Sequence, residues 1–251
     1  APSAPASPTA ATPASGGVPL SAIRQKTADR LAENWRSIPH VFQGIEVDFT
    51  AVDAVRLARK DGFKRNSGQS LTYLPFIARA VCLALQEFPN INATFDGSTL
   101  TPRREVNLGI AVDLSHNGLV VPVVKRAGDY TAEGLAREIG RLVEKARAGK
   151  LTADDMSGGT YSITNNGAFG TMFTSPIINA PQVAILSTDA IRKRPMVVST
   201  AEGEFVAART AGIIGQSFDH RAFDGAYAAS FLSRLKQVLE THDWSGEISR
   251  Q

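Results

Sequence analysis

The stretch SFDHRAFDGAYAASF, at 217–231, holds four ionisable side chains within six residues: Asp219, His220, Arg221 and Asp224. Histidine exchanges protons near neutral pH, so the pattern H-x-x-x-D-G, formed by His220, Asp224 and Gly225, suits a general base. It suits equally a histidine that packs at a strand-to-helix junction, with Asp224 as an acid in the helix's first turn. From this stretch alone both interpretations stay open.

A second stretch, SGGTYSITNNGAFGTMFTSPIINAPQVAIL at 157–186, contains a short β-like run that ends in the hydroxyl of Thr164 beside a glycine-rich turn. A hydroxyl at such a strand end can donate a hydrogen bond to a developing oxyanion. It can also simply stabilise the turn. The stretch alone favours the turn.

Composition and motifs exclude several other classes of protein. Of 251 residues, 27 are basic and 24 acidic, and a net charge of +3 does not indicate a nucleic-acid-binding face. A single cysteine, Cys82, excludes an internal disulfide framework and a cysteine-clustered metal site, and a reducing compartment is expected. No apolar run reaches the roughly 18 residues of a membrane span. The phosphate-loop, dinucleotide-binding, nucleophile-elbow and zinc-protease motifs are absent from the sequence.

The elements that must position these groups follow from periodicity and turn residues. Helices are predicted over SAIRQKTADRLAENW (21–35, capped by Ser21), from a cap at Thr50, through LPFIARAVCLALQEF (74–88) to Pro89, over 131–148 and over 223–240. Strands are predicted at VFQGIEVDF (41–49), VNLGIAVDL (106–114), GLVVPVVK (118–125), TYSIT (160–164), QVAILST (182–188), MVV (196–198) and GIIGQSF (212–218), with a turn at SHNG (115–118). This pattern predicts an α/β domain whose strands are too clustered for a doubly wound nucleotide fold.

The first seventeen residues, APSAPASPTAATPASGG, carry no charge and no large apolar side chain. Such a segment is typical of an Ala/Pro-rich interdomain tether, although a frayed terminus has a similar composition. We therefore expect a linker at 1–17 and one domain at 18–251. A tether also suggests that the domain is the C-terminal catalytic part of a longer, multi-domain protein.

The two stretches together resemble the signature blocks of the catalytic domain of dihydrolipoyl acyltransferases, the core components of 2-oxo acid dehydrogenase complexes. The resembling segments are DHRAFDGA and GGTYSITNNGAFG…PIINAPQVAIL, with RQKTADRLAENWRSIPH, FPNINATFD and NLGIAVDLSHNGLVVPVVKRA before them. They occur in the family's order and cover essentially the whole chain from Val18. The resemblance implies a two-layer sandwich of mixed β-sheet and helices, the fold of chloramphenicol acetyltransferase.

The resemblance also implies a reaction and roles for residues. An acyl group would pass from an acyl-dihydrolipoyl thioester to coenzyme A, with His220 as the general base toward the thiol and the Thr164 hydroxyl donating to the oxyanion. Asp224 would order the site by pairing with a cation, for which Arg221 and Arg30 are both candidates. More weakly, the resemblance places Thr94 near the acyl group and Lys125 and Arg126 near coenzyme A phosphates. No metal site is expected.

Partners follow from the same resemblance. The lipoyl group would be carried on an upstream domain, and no lipoyl-lysine motif occurs in this sequence. The protein would form a homotrimer and work with 2-oxo acid decarboxylase and dihydrolipoyl dehydrogenase components in the bacterial cytoplasm or the mitochondrial matrix. The chain departs from the family's cubic cores at its polar end THDWSGEISRQ, because an apolar C-terminal anchor is usual there. A larger core therefore remains open.

Two other functions are compatible with the fold. One is a free-standing coenzyme A-dependent acyltransferase for a small acceptor, although such an enzyme needs no tether. The other is a non-catalytic core or docking subunit, although retention of His220, Thr164 and Asp224 argues against it. The sequence does not distinguish acetyl, succinyl and branched-chain acyl groups, because the shape of an acyl pocket depends on several loops at once.

Overall fold

A computed structural model describes residues 17–114 and 118–249. The α-helices of this part of the chain are α1 (Ala22–Ser37), α2 (Thr50–Ser67), α3 (Leu74–Leu85), α4 (Ala132–Arg147) and α5 (Gly225–Thr241). Its strands are β1 (His40–Asp48), β2 (Ala93–Phe95), β3 (Leu100–Pro102), β4 (Leu108–Ile110), β5 (Val112–Asp113), β6 (Leu119–Val120), β7 (Val123–Val124), β8 (Tyr161–Asn165), β9 (Ala184–Thr188), β10 (Arg192–Thr200) and β11 (Gly203–Asp219). The five predicted helices are confirmed. The predicted turn at 115–118 falls largely outside the described residues.

The main sheet is mixed and has the strand order β1-β11-β9-β8-β4-β7, with β10 also paired to β11. Strands β4, β8 and β9 run parallel to one another, whereas β1, β9 and β10 are antiparallel to β11. Helix α5 packs on β1, and α3 packs between α4 and α5. The predicted two-layer sandwich of mixed sheet and helices is therefore confirmed.

The buried face between these layers is rich in large side chains. Phe218 of β11 and Phe231 of α5 are fully buried, and Phe218 stacks on Phe223 with ring centroids 5.2 Å apart. Burying a phenylalanine of this kind contributes about 1.5–3 kcal/mol, so this contact fixes the end of β11 against the start of α5. The end of β11 is where His220 follows.

Local sequence signals account for several helix ends. Ser21 caps α1 by accepting a hydrogen bond from the Arg24 N–H (3.2 Å), as predicted, and Thr131 caps α4 in the same way. Gly68 ends α2 with φ of 73°, a left-handed conformation that favours glycine. The cap predicted at Thr50 is wrong: Phe49 is the N-cap, and the Thr50 hydroxyl accepts a hydrogen bond from the Thr210 N–H.

Candidate active site

Thr164 is the penultimate residue of β8, a strand that lies between the parallel strands β4 and β9. Its half-buried side chain faces a cavity of about 540 Å³. Other lining residues come from α1, from β8 and from the segment 176–182 that precedes β9, and include Arg30, Leu31, Asn34, Ser162, Ile177 and Gln182. The cavity is thus built from α1, from the second signature stretch and from residues at 111 and 119–121.

The polar groups around this cavity are mostly committed to one another. The Ser162 hydroxyl donates to Gln182 Oε1 at 2.7 Å, and Arg30 Nη2 donates to the Ala180 carbonyl at 2.7 Å. The Thr164 hydroxyl differs, because no hydrogen bond joins it to any other residue of the described chain. A half-buried, unengaged hydroxyl on a rigid parallel strand is available to a ligand.

His220, unlike Thr164, lies at an exposed position. It directly follows the central strand β11, where its N–H donates to the Pro39 carbonyl (3.2 Å), and its side chain is exposed. Its ring lies 5.8 Å from that of Phe218, and within 17–114 and 118–249 no hydrogen bond is made by its ring nitrogens. The imidazole is therefore free to exchange a proton with a ligand.

The neighbouring charges explain part of the opening stretch. Asp219 is almost fully buried and accepts hydrogen bonds from the Arg221 N–H (2.9 Å) and guanidinium (2.7 Å from Nη2). This hydrogen bonding with Asp219 raises the pKa of the Arg221 guanidinium. Arg221 also lies over the ring of Phe95, 5.0 Å from its centroid. Two of the four ionisable groups thus neutralise each other and stiffen the turn that carries His220.

Asp224 is the N-cap residue of α5, with an exposed side chain that caps no backbone N–H. Neither candidate cation pairs with it in the chain, since Arg221 binds Asp219 and Arg30 donates to the Ala180 carbonyl (2.7 Å). Sequence reasoning overlooked Asp219 as the partner of Arg221. The sequence does carry a signal for this pair, because a carboxylate at the end of a buried strand needs a nearby cation to compensate its charge.

The remaining predicted residues fall around a neighbouring cavity. Thr94 lines a second space of about 540 Å³, which shares Gly158, Gly159 and Pro181 with the Thr164 cavity, and its hydroxyl accepts from Arg103 Nη2 at 2.9 Å. Lys125 lies beside Gly158, where its ammonium group donates to the Ser157 carbonyl. Thr94 and Lys125 therefore lie close to the Thr164 cavity.

Arg126 is engaged in the local turn. It adopts a left-handed conformation with φ of 49°, and its N–H donates to Asn107 Oδ1 at 2.8 Å. Its guanidinium pairs with Asp129 at 2.6 Å and is two-thirds exposed. Neither cavity is lined by this side chain.

The sheet register separates Thr164 from His220 within one chain. Thr164 is opposite Ser187 of β9, and Ser187 is opposite Gly215 of β11, four residues before Asp219. With strands about 4.8 Å apart and about 3.3 Å per residue, the Cα atoms of Thr164 and Asp219 are roughly 16 Å apart. The register therefore places His220 and Thr164 at distant positions of the same sheet.

Other chemistry receives little support. Burial raises the pKa of the Cys82 thiol to about 12, so this cysteine is not a thiolate at neutral pH. Among the residues that the structure describes, no cluster of histidine, cysteine, aspartate and glutamate could hold a metal ion. In the same residues, every helix is too short or too polar to cross a bilayer.

Sequence reasoning overlooked several cavity residues. Arg30 and Asn34 of α1 and the buried Gln182 all line the Thr164 cavity. One signal was available for the first two, because residues four apart lie on the same face of a helix. No local pattern indicates that this face meets the segment 176–182, since the contact joins residues about 150 positions apart.

Comparison with known proteins identifies the family. The family profile described as "2-oxoacid dehydrogenases acyltransferase (catalytic domain)" matches residues 13–244. The lipoamide acyltransferase component of the branched-chain alpha-keto acid dehydrogenase complex of Bacillus subtilis is 40% identical over 226 residues, which are 90% of this chain and 52% of that protein. The acetyltransferase component of the pyruvate dehydrogenase complex of Mycobacterium bovis is 42% identical over 231 residues, 91% of this chain and 42% of that protein. The chain spans about half the length of the curated relatives it matches.

Solved structures agree. Dihydrolipoamide acetyltransferase of Azotobacter vinelandii superposes with a TM-score of 0.85 at 33% identity, covering 93% of this chain and 97% of that one. That structure concerns the role of a serine, a histidine and an asparagine in the catalytic mechanism, the asparagine four positions after the histidine. Chloramphenicol acetyltransferase, at 14% identity and a TM-score of 0.54 over 84% of this chain and 94% of that one, shares the fold.

Proposed function

Because this chain belongs to the 2-oxoacid dehydrogenase acyltransferases, as their catalytic domain, we propose that it transfers an acyl group from an acyl-dihydrolipoyl thioester to coenzyme A. The observation that carries the proposal is the pair of unengaged groups at the two signature stretches. One is the Thr164 hydroxyl in a cavity, and the other is the exposed imidazole of His220. Acyl transfer to a thiol needs one group of each kind.

The proposed reaction assigns one step to each group. His220 takes the proton from the coenzyme A thiol, and the thiolate attacks the carbonyl carbon of the acyl-dihydrolipoyl thioester. The Thr164 hydroxyl donates a hydrogen bond to the oxyanion of the tetrahedral intermediate, a contact worth about 3 kcal/mol. Collapse breaks the bond to the lipoyl sulfur, which leaves as a thiolate and takes the proton back from His220. Acyl-coenzyme A and a dihydrolipoyl group result.

The site is proposed to lie between subunits of a homotrimer. A separation of about 16 Å between the strand positions of the two groups is too great for both to touch one thioester. A head-to-tail ring would bring the His220 edge of one subunit to the Thr164 cavity of the next. Large exposed apolar side chains support subunit contact of this kind, among them Trp35 (60% exposed), Phe173 (59%) and Val206 (71%).

Substrate contacts around the cavity are proposed more locally. Thr94, held by Arg103, would contact the acyl end, because its space adjoins the Thr164 cavity at Gly159 and Pro181. Lys125 would attract the phosphates of coenzyme A from its place beside Gly158. Arg126 is the weaker candidate, because its guanidinium pairs closely with Asp129 at 2.6 Å, whereas the Lys125 ammonium group is 3.9 Å from the Asp154 carboxylate. Asp224 would order the site through a cation of the neighbouring subunit.

The wider organisation is also a proposal. Residues 1–17 would be the tether and 18–251 the catalytic domain, a division that the profile match from residue 13 overlaps by a few residues. The tether would connect to a lipoyl-bearing domain that meets the decarboxylase and dihydrolipoyl dehydrogenase components. The structure of one relative is that of the cubic core of a pyruvate dehydrogenase multienzyme complex, and a mass measurement in solution tests whether trimers of this protein assemble further. The bacterial cytoplasm or the mitochondrial matrix would be the compartment.

The test is a coenzyme A transfer assay with acetyl-, succinyl- and isobutyryl-dihydrolipoamide. We expect turnover with at least one donor, and the ratio of kcat/KM values identifies the acyl group. Relatives of 40%, 42% and 43% identity are named for branched-chain, acetyl and succinyl components, so identity alone does not decide among the three groups. Absence of transfer with all three donors by a correctly assembled trimer would favour a docking subunit. Preference for a small free acceptor over dihydrolipoamide would favour a free-standing acyltransferase.

A further inference from the structure

The segment 176–181 forms much of the wall of the Thr164 cavity, yet it belongs to no strand of the sheet. Within it, Ile178 is fully buried and packs with Ile38 and Ile185. Its two neighbours, Ile177 and Asn179, line the cavity. The placement of Ile178 therefore sets where the cavity wall lies on either side of it.

Side chains from the start of the chain hold both peptide groups of Ile178. The Ile178 N–H donates to His40 Nε2 at 2.9 Å, and Asn34 Nδ2 donates to the Ile178 carbonyl at 2.9 Å. The carbonyl of Ala180, two residues after Ile178, accepts a hydrogen bond from Arg30 Nη2 at 2.7 Å. Elsewhere in the segment the Pro181 carbonyl accepts from the Phe95 N–H at 3.0 Å, and the Asn179 carbonyl accepts from the Gln182 N–H at 3.2 Å. The peptide groups of Ile178 and the Ala180 carbonyl thus depend on three side chains of α1 and β1.

The partners of His40 fix its protonation state. His40 Nδ1 is 2.9 Å from the Ile38 carbonyl, which can only accept, so Nδ1 carries a proton. Nε2 faces the Ile178 N–H, which can only donate, so Nε2 must present its lone pair. A proton on Nε2 would set two donors against each other. Only the neutral imidazole satisfies both contacts.

We propose that neutral His40 and Asn34 are positioning residues that clamp the Ile178 peptide and thereby hold the cavity wall for acyl transfer. Neither touches the reacting atoms in this scheme, and both act through the position of Ile177 and Asn179. The expected effect of the clamp on turnover rests on the proposed function. Its hydrogen bonds do not, because they exist irrespective of the reaction.

The charged groups next to the clamp are already paired or hydrogen-bonded. Asp219 is directly opposite His40 in the β1–β11 register, and its carboxylate is bound by Arg221. Arg30 of α1 donates to the Ala180 carbonyl. On the α1 side the ring of Trp35 lies 5.2 Å from the His40 ring. With Asp219 committed to Arg221, protonation of His40 costs the Ile178 hydrogen bond without a free carboxylate to replace it.

Two substitutions of nearly equal polarity separate the roles. In His40→Gln the side-chain oxygen reaches the place of Nε2 and can accept from the Ile178 N–H, whereas in His40→Asn it is one bond too short. We expect amide hydrogen exchange in a peptide containing 176–181 to rise at least tenfold in His40→Asn and to stay within about threefold of wild type in His40→Gln. We expect kcat/KM for the acyl-dihydrolipoamide to fall about ten- to a hundredfold in His40→Asn alone, since a misplacement of about 1 Å can cost a hundredfold.

His220→Ala is the control, because it should lose turnover while keeping wild-type exchange at 176–181; the exchange result therefore stands even if the proposed reaction is wrong. The proposal is overturned if His40→Asn matches wild type in exchange, if it loses turnover with unchanged exchange, or if His40→Gln is as impaired as His40→Asn. Should His40→Asn not fold, Asn34→Ala, which removes the donor to the Ile178 carbonyl, is measured in its place. Exchange at 176–181 should rise at least about tenfold in that variant, and wild-type exchange in a folded Asn34→Ala protein overturns the clamp.

Discussion

The two signature stretches place their candidate side chains in different surroundings. Thr164 lies in a cavity whose walls come from α1, β8 and the segment 176–182, whereas His220 lies on an exposed edge after the last residue of β11. The Thr164 hydroxyl and the His220 imidazole both lack hydrogen-bond partners in the described chain, but the first lies in a cavity and the second is exposed at the surface. The difference indicates that each half needs a complement, which a second copy of the chain would supply in the proposed trimer.

The difference also extends to how each half is held. The turn of His220 is local, because Asp219 and Arg221 are two residues apart and fix it without outside help. The wall around Thr164 depends on partners about 140 to 150 positions away, namely Arg30, Asn34 and His40. We therefore expect substitutions in the His220 half to change chemistry with little effect on folding, and substitutions in the cavity wall to change both.

The largest expected effect is that of His220→Ala. Loss of a general base lowers kcat by about 10² to 10⁴, while the midpoint of thermal unfolding should stay within a few degrees because the side chain is exposed. Steady-state transfer assays and calorimetry measure the two. His242→Gln is a matched control, since that histidine binds Glu247 near the C-terminus and should leave kcat unchanged. Near-normal turnover in His220→Ala would remove His220 from the mechanism.

Thr164→Ala comes next. An oxyanion contact forms mainly in the transition state, so kcat should fall by about 10² to 10³ with little change in the KM for coenzyme A. Thr164→Ser keeps the hydroxyl and should retain most turnover. If Thr164→Ala instead raised KM and left kcat intact, Thr164 would be a binding residue.

Local patterns predicted most of the elements. The apolar run at LPFIARAVCLALQEF and the caps at Ser21 and Thr131 act within a few residues, so they identify α1, α3 and α4 from sequence. The β2–β3 hairpin was not predicted, since three-residue strands carry almost no periodic signal. Strands β10 and β11 are longer than the predicted MVV and GIIGQSF. Their exposed part has only weak alternation of apolar and polar residues, so the sequence predicts strands that are too short.

The site was less accessible to sequence reasoning. Two stretches and a family resemblance indicate His220 and Thr164 as candidates, whereas the register that separates them is visible only in the folded sheet. The hydrogen bonds of His40 and Asn34 join distant segments, which no spacing within either segment can indicate. The resemblance offers Arg221 as a partner for Asp224, whereas Asp219, two residues before Arg221, binds its guanidinium at 2.7 Å.

Mixing the two inactive variants tests the division of the site directly. His220→Ala and Thr164→Ala proteins are unfolded and refolded together, or co-expressed with separate tags. Random assembly should restore about a quarter of wild-type sites in the whole pool, and about a third in trimers that contain both variants, because one of their three interfaces joins an intact histidine to an intact threonine. Activity is measured in the mixed trimer after tandem purification on both tags. Mixed trimers as inactive as their parents would show that each site lies within one subunit.

The smallest effect is expected for Asp224→Asn. The carboxylate is exposed and makes no ion pair in 17–114 or 118–249, so its removal should leave the thermal midpoint of the folded subunit within about two degrees. Because the asparagine amide keeps the shape of the carboxylate and one accepting oxygen, we expect a modest loss of kcat, about two- to fivefold. If Asp224 pairs with a cation of the neighbouring subunit, added salt weakens that pair in the wild type, so the difference in kcat between wild type and variant should shrink as salt is raised. The variant trimer should also dissociate more easily than the wild-type trimer. A loss above a hundredfold, in a trimer of unchanged stability, would instead show that the charge itself takes part in the reaction at the His220 edge.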